Sequence, residues 1–311
     1  MQLLIKQEEA IYYLKDNETK ELIYGGAAGG GKSALEVLKI IENCQIYPGS
    51  RWLLGRAKLK ALKETTLNTF FELSTKLGVT DQWHYNAQSG VITWNNKSEI
   101  LLKDLFLYPS DQNFDSLGSL EITGGFIDEV NQCVYKAWQI VLSRCRYKLT
   151  EWDIHGERTD TMKVLERNLS GVPILWLNSK GEQTPGLIPK LVGTCNPAKN
   201  WVYSKFYLKH KNNTLEPYRK FIQALPTDNP HLPASYLQSL LSLDDNSKQR
   251  LYYGNWEYDN DPAKLIDYEK IQNTFTNNFV PFGEMFISAD IARFGSDKMV
   301  ICVWSGFRVV E

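Results

Sequence analysis

The sequence predicts an α/β protein with a mostly parallel β-sheet flanked by helices. Short apolar strands alternate along the chain with stretches in which apolar residues recur every three or four positions. This alternation is typical of parallel strands joined by crossover helices. Two strands also run straight into unusual segments, one into the glycines that begin at Gly25 and the other into Asp128 and Glu129. Polar or glycine-rich strand ends are typical of a binding site at the carboxyl edge of such a sheet.

Composition agrees with an ordinary globular protein and excludes several other classes. The chain has 311 residues, of which 43% are hydrophobic and 23% are charged, with a formal net charge of -1. A disordered or fibrous chain is excluded, and any contact with nucleic acid must come from a local patch. The five cysteines are scattered, no apolar run could span a bilayer, and the first residues do not resemble a secretory signal. We therefore expect a soluble, intracellular protein.

The first half of the chain predicts a strand, a glycine loop and a helix, followed by further strands and helices. In order, the patterns predict a helix from Ile11 to about Asp16, a strand over residues 21–24, a helix after Ser33, a strand over residues 51–56, a helix over residues 59–77, and a hairpin that turns at Asn95 and Asn96. Apolar spacing assigns the helices, and alternation of apolar and polar residues assigns the hairpin.

The second half predicts more strands of the same sheet and then different structure. A buried strand over residues 124–127 precedes Asp128, a helix runs from Ala137 to Leu142, and a strand over residues 191–195 is stopped by Asn196-Pro197. Residues 151–189 are polar and uneven, which indicates an insertion. We predict three parts: a core over residues 1–210, a helical lid and linker over residues 211–280, and the start of another domain over residues 281–311. Within the last part, strands over residues 285–290 and 299–304 are expected to pair.

Residues 26–33 match the Walker A pattern G-x-x-x-x-G-K-[ST] between a strand and a helix, which predicts a P-loop NTPase of the RecA/ASCE-like type. Its residues that would bind phosphate are Gly26, Gly29, Gly30, Gly31, Lys32 and Ser33. The glycines let backbone N–H groups point at phosphate oxygens beside a helix N-terminus. Lys32 would bridge the β- and γ-phosphates, and Ser33 would hold Mg²⁺. The alternative is a glycine-rich turn with an unrelated lysine.

Asp128 and Glu129 follow a buried strand and supply the acidic groups that such a site needs. Asp128 fits the Walker B aspartate, which holds the Mg²⁺ shell. Glu129, one residue later, could polarise the water that attacks the γ-phosphate, which favours an ATP-hydrolysing motor over a small-molecule kinase. The alternative is a helix N-cap followed by an acid in the first turn.

Three more polar side chains are candidates for nucleotide contacts. Thr194 and Asn196 close another strand and could touch the γ-phosphate or its water, although Asn196-Pro197 is also an ordinary turn. Gln7 lies shortly before the first strand, and its amide has the donors and the acceptor that suit an adenine edge. A surface glutamine is the alternative for Gln7.

Taken in order, these motifs resemble the large terminase subunit of tailed bacteriophages, the ATPase–nuclease that packages DNA. The resemblance spans nearly the whole chain and rests on Gln7, residues 26–33, Asp128-Glu129 and Gly193-Thr194-Cys195-Asn196-Pro197. It is strengthened by Thr227-Asp228-Asn229-Pro230-His231-Leu232, by Tyr236-Leu237 and by Arg250-Leu251-Tyr252-Tyr253-Gly254-Asn255-Trp256, which is similar to the lid or linker sequence of that family.

The resemblance implies a second domain of the RNase H-like fold, whose first strand carries an aspartate. Asp290 occupies that position and would be one ligand of a site for two divalent cations, Mg²⁺ or Mn²⁺. The alternative is a solvated aspartate at a strand end. Two-metal hydrolysis needs further carboxylates, which we expect downstream of Glu311. We therefore expect an incomplete nuclease domain and endonuclease activity only in a longer chain.

Motors of this class also need an arginine near the γ-phosphate, and a path for DNA. Arg56 is the first candidate for the arginine, and Arg144 and Arg146 are further candidates; whether it acts within one subunit or between subunits stays open. For DNA, Lys58, Lys60 and Lys63 form a basic cluster after the second strand, for which a solvated helix face is the alternative.

The resemblance thus implies an ATP-hydrolysing motor that moves double-stranded DNA into a procapsid in the host cytoplasm. Its implied partners are a portal protein, a small terminase subunit and further copies of the chain in a ring, whereas the isolated chain could be a monomer. One alternative is a helicase-like DNA-dependent ATPase, which would need a second RecA-like domain. The other is a nucleotide-binding scaffold, against which Glu129 argues.

Overall fold

The structure is a computed structural model that describes residues 3–16, 18–146, 189–258, 280–291 and 299–310. Between residues 151 and 185 it gives the backbone of five short strands, namely β7 (Glu151–Trp152), β8 (Arg158–Thr159), β9 (Lys163–Arg167), β10 (Pro173–Leu177) and β11 (Gln183–Pro185). The chain divides into two compact units, Met1–Asp259 and Asn260–Glu311. Within the described residues, no helix is both long and apolar enough to cross a bilayer.

The first unit contains an eight-stranded sheet in the order β13-β1-β12-β6-β2-β5-β4-β3. These strands are β1 (Glu21–Gly26), β2 (Arg51–Arg56), β3 (Trp83–Asn86), β4 (Val91–Trp94), β5 (Glu99–Asp104), β6 (Gly124–Ile127), β12 (Leu191–Cys195) and β13 (Arg219–Ala224). The pairs from β13 to β5 are all parallel, and β4 and β3 add an antiparallel hairpin at one edge. The predicted mostly parallel α/β sheet is confirmed.

Helices cover both faces of this sheet. They are α1 (Ile5–Lys15), α2 (Lys32–Ile46), α3 (Leu59–Glu64), α4 (Thr66–Leu77), α5 (Tyr135–Arg144), α6 (Leu208–Lys211), α7 (Ala234–Leu241) and α8 (Asp245–Leu251). A π-helical turn at Tyr203–Tyr207 leads directly into α6. On one face, α1, α2 and α4 form the main core with alternate strand residues such as Leu22 and Trp52. On the other face Trp138 of α5 packs against Gly193. Burial on both faces explains why β1 and β12 are buried at every position.

Three elements differ from the sequence-based expectation. α1 begins at Ile5, six residues earlier than predicted, because the polar Gln7 occupies a position that faces the core and hides the apolar repeat. The single helix predicted over residues 59–77 is two helices separated at Thr65. β13 was not predicted, and it lies beyond residue 210, where the sequence places the end of the core. The hairpin turn at Asn95 is confirmed by the antiparallel pairing of β4 and β5.

The second unit contains the paired strands that the sequence predicts near the end of the chain. β14 (Met285–Asp290) pairs antiparallel with β15 (Val300–Ser305), and Asp290 lies opposite Val300. A third strand, β16 (Arg308–Val309), extends this small sheet. The last part of the predicted lid and linker, residues 259–279, lies outside the described residues, and the division into core, lid and nuclease start stays a prediction.

Candidate nucleotide-binding site

Neighbouring parallel strands bring the predicted site residues to one edge of the sheet. β1, β12, β6 and β2 are adjacent and run in the same direction. Their carboxyl ends lead, respectively, into the phosphate loop at residues 26–33, into Asn196, into Asp128 and into the loop after Arg56. Because parallel strands end at the same edge, these segments, which are far apart in sequence, meet in one place.

The phosphate loop curls at glycines and is held by its surroundings. Gly29 and Gly31 have φ angles of 80° and 73°, in the left-handed region that side chains rarely adopt. A Cβ atom at Gly31 would lie 2.7 Å from Nε2 of Gln7. The Ala27 N–H donates to the Ala224 carbonyl at 2.9 Å, which fixes the start of the loop. The loop then enters α2 at Lys32, so the free N–H groups of a helix start face the same space.

Lys32 reaches from α2 across the loop to the end of β12. Its Nζ atom donates to Asn196 Oδ1 at 3.1 Å and to the Ala27 carbonyl. Burial lowers the pKa of Lys32, and the nearby charges of Glu129 and Asp128 oppose that change. The lysine is thus held over the loop by neutral acceptors that phosphate oxygens could replace.

Asp128 is the most heavily contacted acid of the site. Its Oδ1 atom accepts from Thr194 Oγ1 at 3.0 Å and from Ser33 Oγ at 3.5 Å. Its Oδ2 atom accepts from Thr66 Oγ1 at 2.6 Å and from Arg56 Nη1 at 3.3 Å. This network draws on four separate segments of the chain, so the position of the carboxylate is strongly determined.

The same side chains fit a magnesium ion. Ser33 and Asp128 present two oxygen ligands beside the loop, and Mg²⁺ prefers oxygen ligands. The described residues contain no group of three or more His, Cys, Asp or Glu side chains that could enclose a metal ion. An ion held by few protein ligands, with water and phosphate oxygens as the rest, is the usual arrangement for Mg²⁺ with a nucleotide.

Glu129 has a backbone conformation that few residues other than glycine adopt, with φ 49° and ψ 49°. Such strain is often found where a side chain must point into a functional site. Asn196 Nδ2 donates to its Oε1 atom at 3.2 Å. Burial and the neighbouring Asp128 raise the pKa of Glu129, and the charges of Lys32, Arg56 and Arg250 oppose that rise. A carboxylate with a raised pKa is suited to accept a proton.

Gln7 lies at the site but uses both ends of its amide within the protein. Its Nε2 atom donates to the Gly31 carbonyl at 2.9 Å, and its Oε1 atom accepts from the Leu4 N–H at 3.0 Å. Only 2% of the residue is exposed. In this arrangement Gln7 supports the phosphate loop, and the predicted contact with adenine stays a prediction.

The three candidate arginines lie at different edges of the sheet. Arg56 is at the site, where it pairs with Asp128 and also donates to Thr65 Oγ1 at 2.7 Å. Arg144 donates to the Gly118 carbonyl at 2.6 Å, and Arg146 pairs with a glutamate at 3.4 Å. Arg144 ends α5 and Arg146 follows it, next to the start of β6, at the edge opposite the phosphate loop.

Thr66 and Glu36 are site residues that the sequence reasoning missed. Thr66 bonds Asp128, and the only signal was a pair of threonines inside a helical pattern. Glu36 lies one helical turn beyond Ser33, is fully buried, and has no hydrogen-bond partner for either carboxylate oxygen. Burial and Asp128 raise its pKa well above the usual value. A glutamate between the apolar Leu35 and Val37 was the available signal.

The lysines predicted to contact DNA follow β2 in the first unit, and the aspartate predicted to bind a nuclease metal lies in the second unit. The Nζ atom of Lys58 lies 3.3 Å from the centre of the Phe106 ring, and Lys63 donates to the Ala87 carbonyl. Lys60 forms a long pair with Glu64 and has an 88% exposed side chain. Asp290 ends β14 in the second unit, and its predicted role as a metal ligand stays a prediction.

No protein-family model matches the sequence, and no curated protein matches it. Solved structures do. A large terminase from a thermophilic bacteriophage is 13% identical, with a TM-score of 0.56 over 99% of this chain and 66% of that one. The same protein in complex with ATP-gamma-S is also 13% identical, with a TM-score of 0.53 over 98% of this chain and 65% of that one. The Thermus phage P74-26 large terminase ATPase domain is 12% identical, with a TM-score of 0.52 over 82% of this chain and 94% of that domain.

This chain therefore spans slightly less than two thirds of the first of these terminases and nearly all of the P74-26 domain. At such low identity a structural likeness is evidence of fold. The α/β sheet described above, with its phosphate loop after β1, is the fold of the large terminase ATPase domain.

Proposed function

We propose that this chain is the ATP-hydrolysing motor of viral DNA packaging, a large terminase subunit. The observation that carries the proposal is the convergence of Lys32, Ser33, Asp128 and Glu129 at one edge of a terminase-type sheet. The structural neighbours include the thermophilic bacteriophage terminase bound to ADP and to ATP-gamma-S, which supports nucleotide as the ligand.

The phosphate loop and Lys32 bind the triphosphate. The N–H groups at the start of α2 face the β- and γ-phosphates, and Lys32 exchanges its carbonyl and amide acceptors for phosphate oxygens. Ser33 and Asp128 would hold Mg²⁺, which, when bound, neutralises charge on the phosphate oxygens. Thr66 and Thr194 fix the orientation of Asp128.

Glu129 acts on the water that attacks the γ-phosphate. The water oxygen forms a bond to the γ-phosphorus atom, the bond from that phosphorus to the bridging oxygen of ADP breaks, and Glu129 takes the proton of the water. Asn196 orients the Glu129 carboxylate through its Nδ2 atom while its Oδ1 atom contacts Lys32. The raised pKa of Glu129 favours this proton transfer.

Movement of DNA is the part of the proposal that depends on other molecules. The segment after β13 touches the phosphate loop, since Asn229 Nδ2 donates to the Gly29 carbonyl at 2.7 Å, so release of phosphate can shift that segment. The motor would act on double-stranded DNA with a portal protein and a small terminase subunit, as a ring of subunits on a procapsid. Lys58, Lys60 and Lys63 are the proposed DNA contacts, and Asp290 is a proposed ligand of a two-cation nuclease site.

The test of the ATPase is steady-state phosphate release with and without double-stranded DNA. Lys32→Ala should abolish turnover because it removes the cation that bridges the phosphates. The matched control is Lys76→Ala, which removes an exposed lysine of α4. Unchanged turnover in Lys32→Ala would overturn the site assignment, and equal losses in both variants would show an effect on folding instead.

A further inference from the structure

The helical segment after β13 is attached to the phosphate loop through the end of α8. The Ala28 N–H donates to the Leu251 carbonyl at 2.9 Å, which joins the loop to the last residue of that helix. Just beyond, Gly254 approaches the loop so closely that a Cβ atom there would lie 3.3 Å from the Ala27 nitrogen. The end of α8 is therefore fixed beside the phosphate site of its own chain.

Arg250 is the residue before this attachment point, and no described residue accepts a hydrogen bond from its guanidinium group. Its Nε atom is buried without a hydrogen-bond partner, and the described part of the chain offers it no ion pair. A desolvated N–H of a cation without a partner is unfavourable and uncommon. The charge of Arg250 also opposes the rise in the pKa of Glu129, which follows β6, and of Cys195, which ends β12.

The other cations of the site already have protein partners. Lys32 donates to Asn196 and to a loop carbonyl. Arg56 pairs with Asp128 and donates to Thr65 through Nη1, although its Nε atom is also buried without a partner. An arginine presents a planar fork of N–H donors that matches phosphate oxygens. Among the described residues, Arg250 thus differs from Lys32 and Arg56 in having neither a hydrogen bond nor an ion pair, so its donors are available to an anion.

We propose that Arg250 is a catalytic residue that binds the γ-phosphate of ATP within the same chain. Its place next to Leu251, whose carbonyl accepts from the Ala28 N–H, fixes the start of its side chain beside the phosphate loop. Charge that builds on the γ-phosphate oxygens in the transition state would be stabilised there. This inference rests on the proposed ATPase function and extends it, since it makes the segment that ends at α8 part of the catalytic site.

The test compares Arg250→Ala and Arg250→Lys with the control Lys248→Ala. Lys248 lies on the same helix, and its ammonium group pairs with the exposed Asp245 at 3.2 Å. Arg250→Ala should lower kcat by about 10³-fold, as removal of an arginine at a transferring phosphoryl group does. It should weaken binding of ATP-gamma-S while binding of ADP stays unchanged, because ADP lacks the group that Arg250 contacts. Arg250→Lys should keep part of the binding but little of the rate.

A mixing experiment separates action within one chain from action between chains. A mixture of the Lys32→Ala protein and the Arg250→Ala protein should show no turnover beyond that of either variant alone, because each copy lacks one part of its own site. Recovery of turnover would place the arginine in a neighbouring copy and overturn the same-chain assignment. Melting by circular dichroism checks that each variant is folded.

The outcomes distinguish the inference from the function on which it rests. If wild type hydrolyses ATP, Lys32→Ala does not, and Arg250→Ala retains the wild-type rate and ATP-gamma-S affinity, then this inference fails while the ATPase stands. If wild type binds neither ADP nor ATP-gamma-S, the proposed function itself fails, and the role of Arg250 fails with it.

Discussion

Glu129→Gln is the substitution that tests the proposed mechanism most directly. Glutamine keeps the shape of the side chain and an oxygen that can accept from Asn196 Nδ2, which in the wild type lies 3.2 Å from Glu129 Oε1. It cannot take up a proton from water. Loss of a positioned general base costs about 10²–10⁴ in rate, which corresponds to about 3–5 kcal/mol of transition-state free energy. Binding of ATP should persist, since a negative charge beside the triphosphate is removed.

The pH profile gives this prediction a second readout. Burial and Asp128 raise the pKa of Glu129 above its ordinary value of 4.5. A base acts in its ionised form, so wild-type turnover should fall as the pH drops through this raised pKa, above pH 4.5. The residual turnover of Glu129→Gln should lack that limb.

The assay is phosphate release under saturating ATP across the pH range, with nucleotide binding followed by fluorescence. Glu72→Gln, an exposed position on α4, is the matched control and should behave as wild type. If Glu129→Gln loses ATP binding, the residue is structural. If it keeps the wild-type rate and the acidic limb, another group activates the water and the reasoning is refuted.

Two further predictions concern stability. Burial raises the pKa of Glu36, so the native protein keeps this carboxyl neutral at a pH where the unfolded chain ionises it. The free energy of unfolding of the wild type therefore falls as the pH rises above 4.5. We therefore compare the free energies of unfolding of Glu36→Gln and wild type in urea. The difference should favour the variant more at about pH 8 than at about pH 5, and an equal difference at both pH values would contradict the prediction. Glu21→Ala should cost about 1–3 kcal/mol by urea unfolding, because the buried Trp138 Nε1 loses its acceptor and Arg219 loses its ion pair at 2.9 Å while it keeps a longer one with Glu216 at 3.4 Å. A cost below about 0.5 kcal/mol, as for a surface pair, would show that these contacts are not important for folding.

Local sequence was sufficient for the parts of the site that depend on neighbouring residues. The turn at Gly29 and Gly31 and the presence of a helix after the loop follow from residues within one short segment, although α2 begins at Lys32 and not after Ser33. The place of Asp128 after an apolar strand follows in the same way. The turn, the helix and the strand end could be predicted because backbone geometry and strand burial depend on residues that are adjacent in sequence.

The partners of those residues could not be predicted in the same way. Thr66 bonds Asp128 across 62 positions of sequence, and Arg56 does so across 72. Such contacts follow from which strands are adjacent, and periodicity does not determine strand order. The break between α3 and α4 has the same origin, since Thr65 and Thr66 lie where hydrogen bonds to Arg56 and Asp128 compete with a continuous helix.

Asn196 connects these observations into an account of how ATP could be sensed. One end of its amide accepts from Lys32 at 3.1 Å, and the other end donates to Glu129 at 3.2 Å. If phosphate oxygens take over the donors of Lys32, Asn196 loses one contact while it keeps the other, and the orientation of the Glu129 carboxylate then depends on whether the triphosphate is bound. In the proposed mechanism, this single amide after β12 would couple Lys32 to Glu129 and so restrict hydrolysis to the fully occupied site.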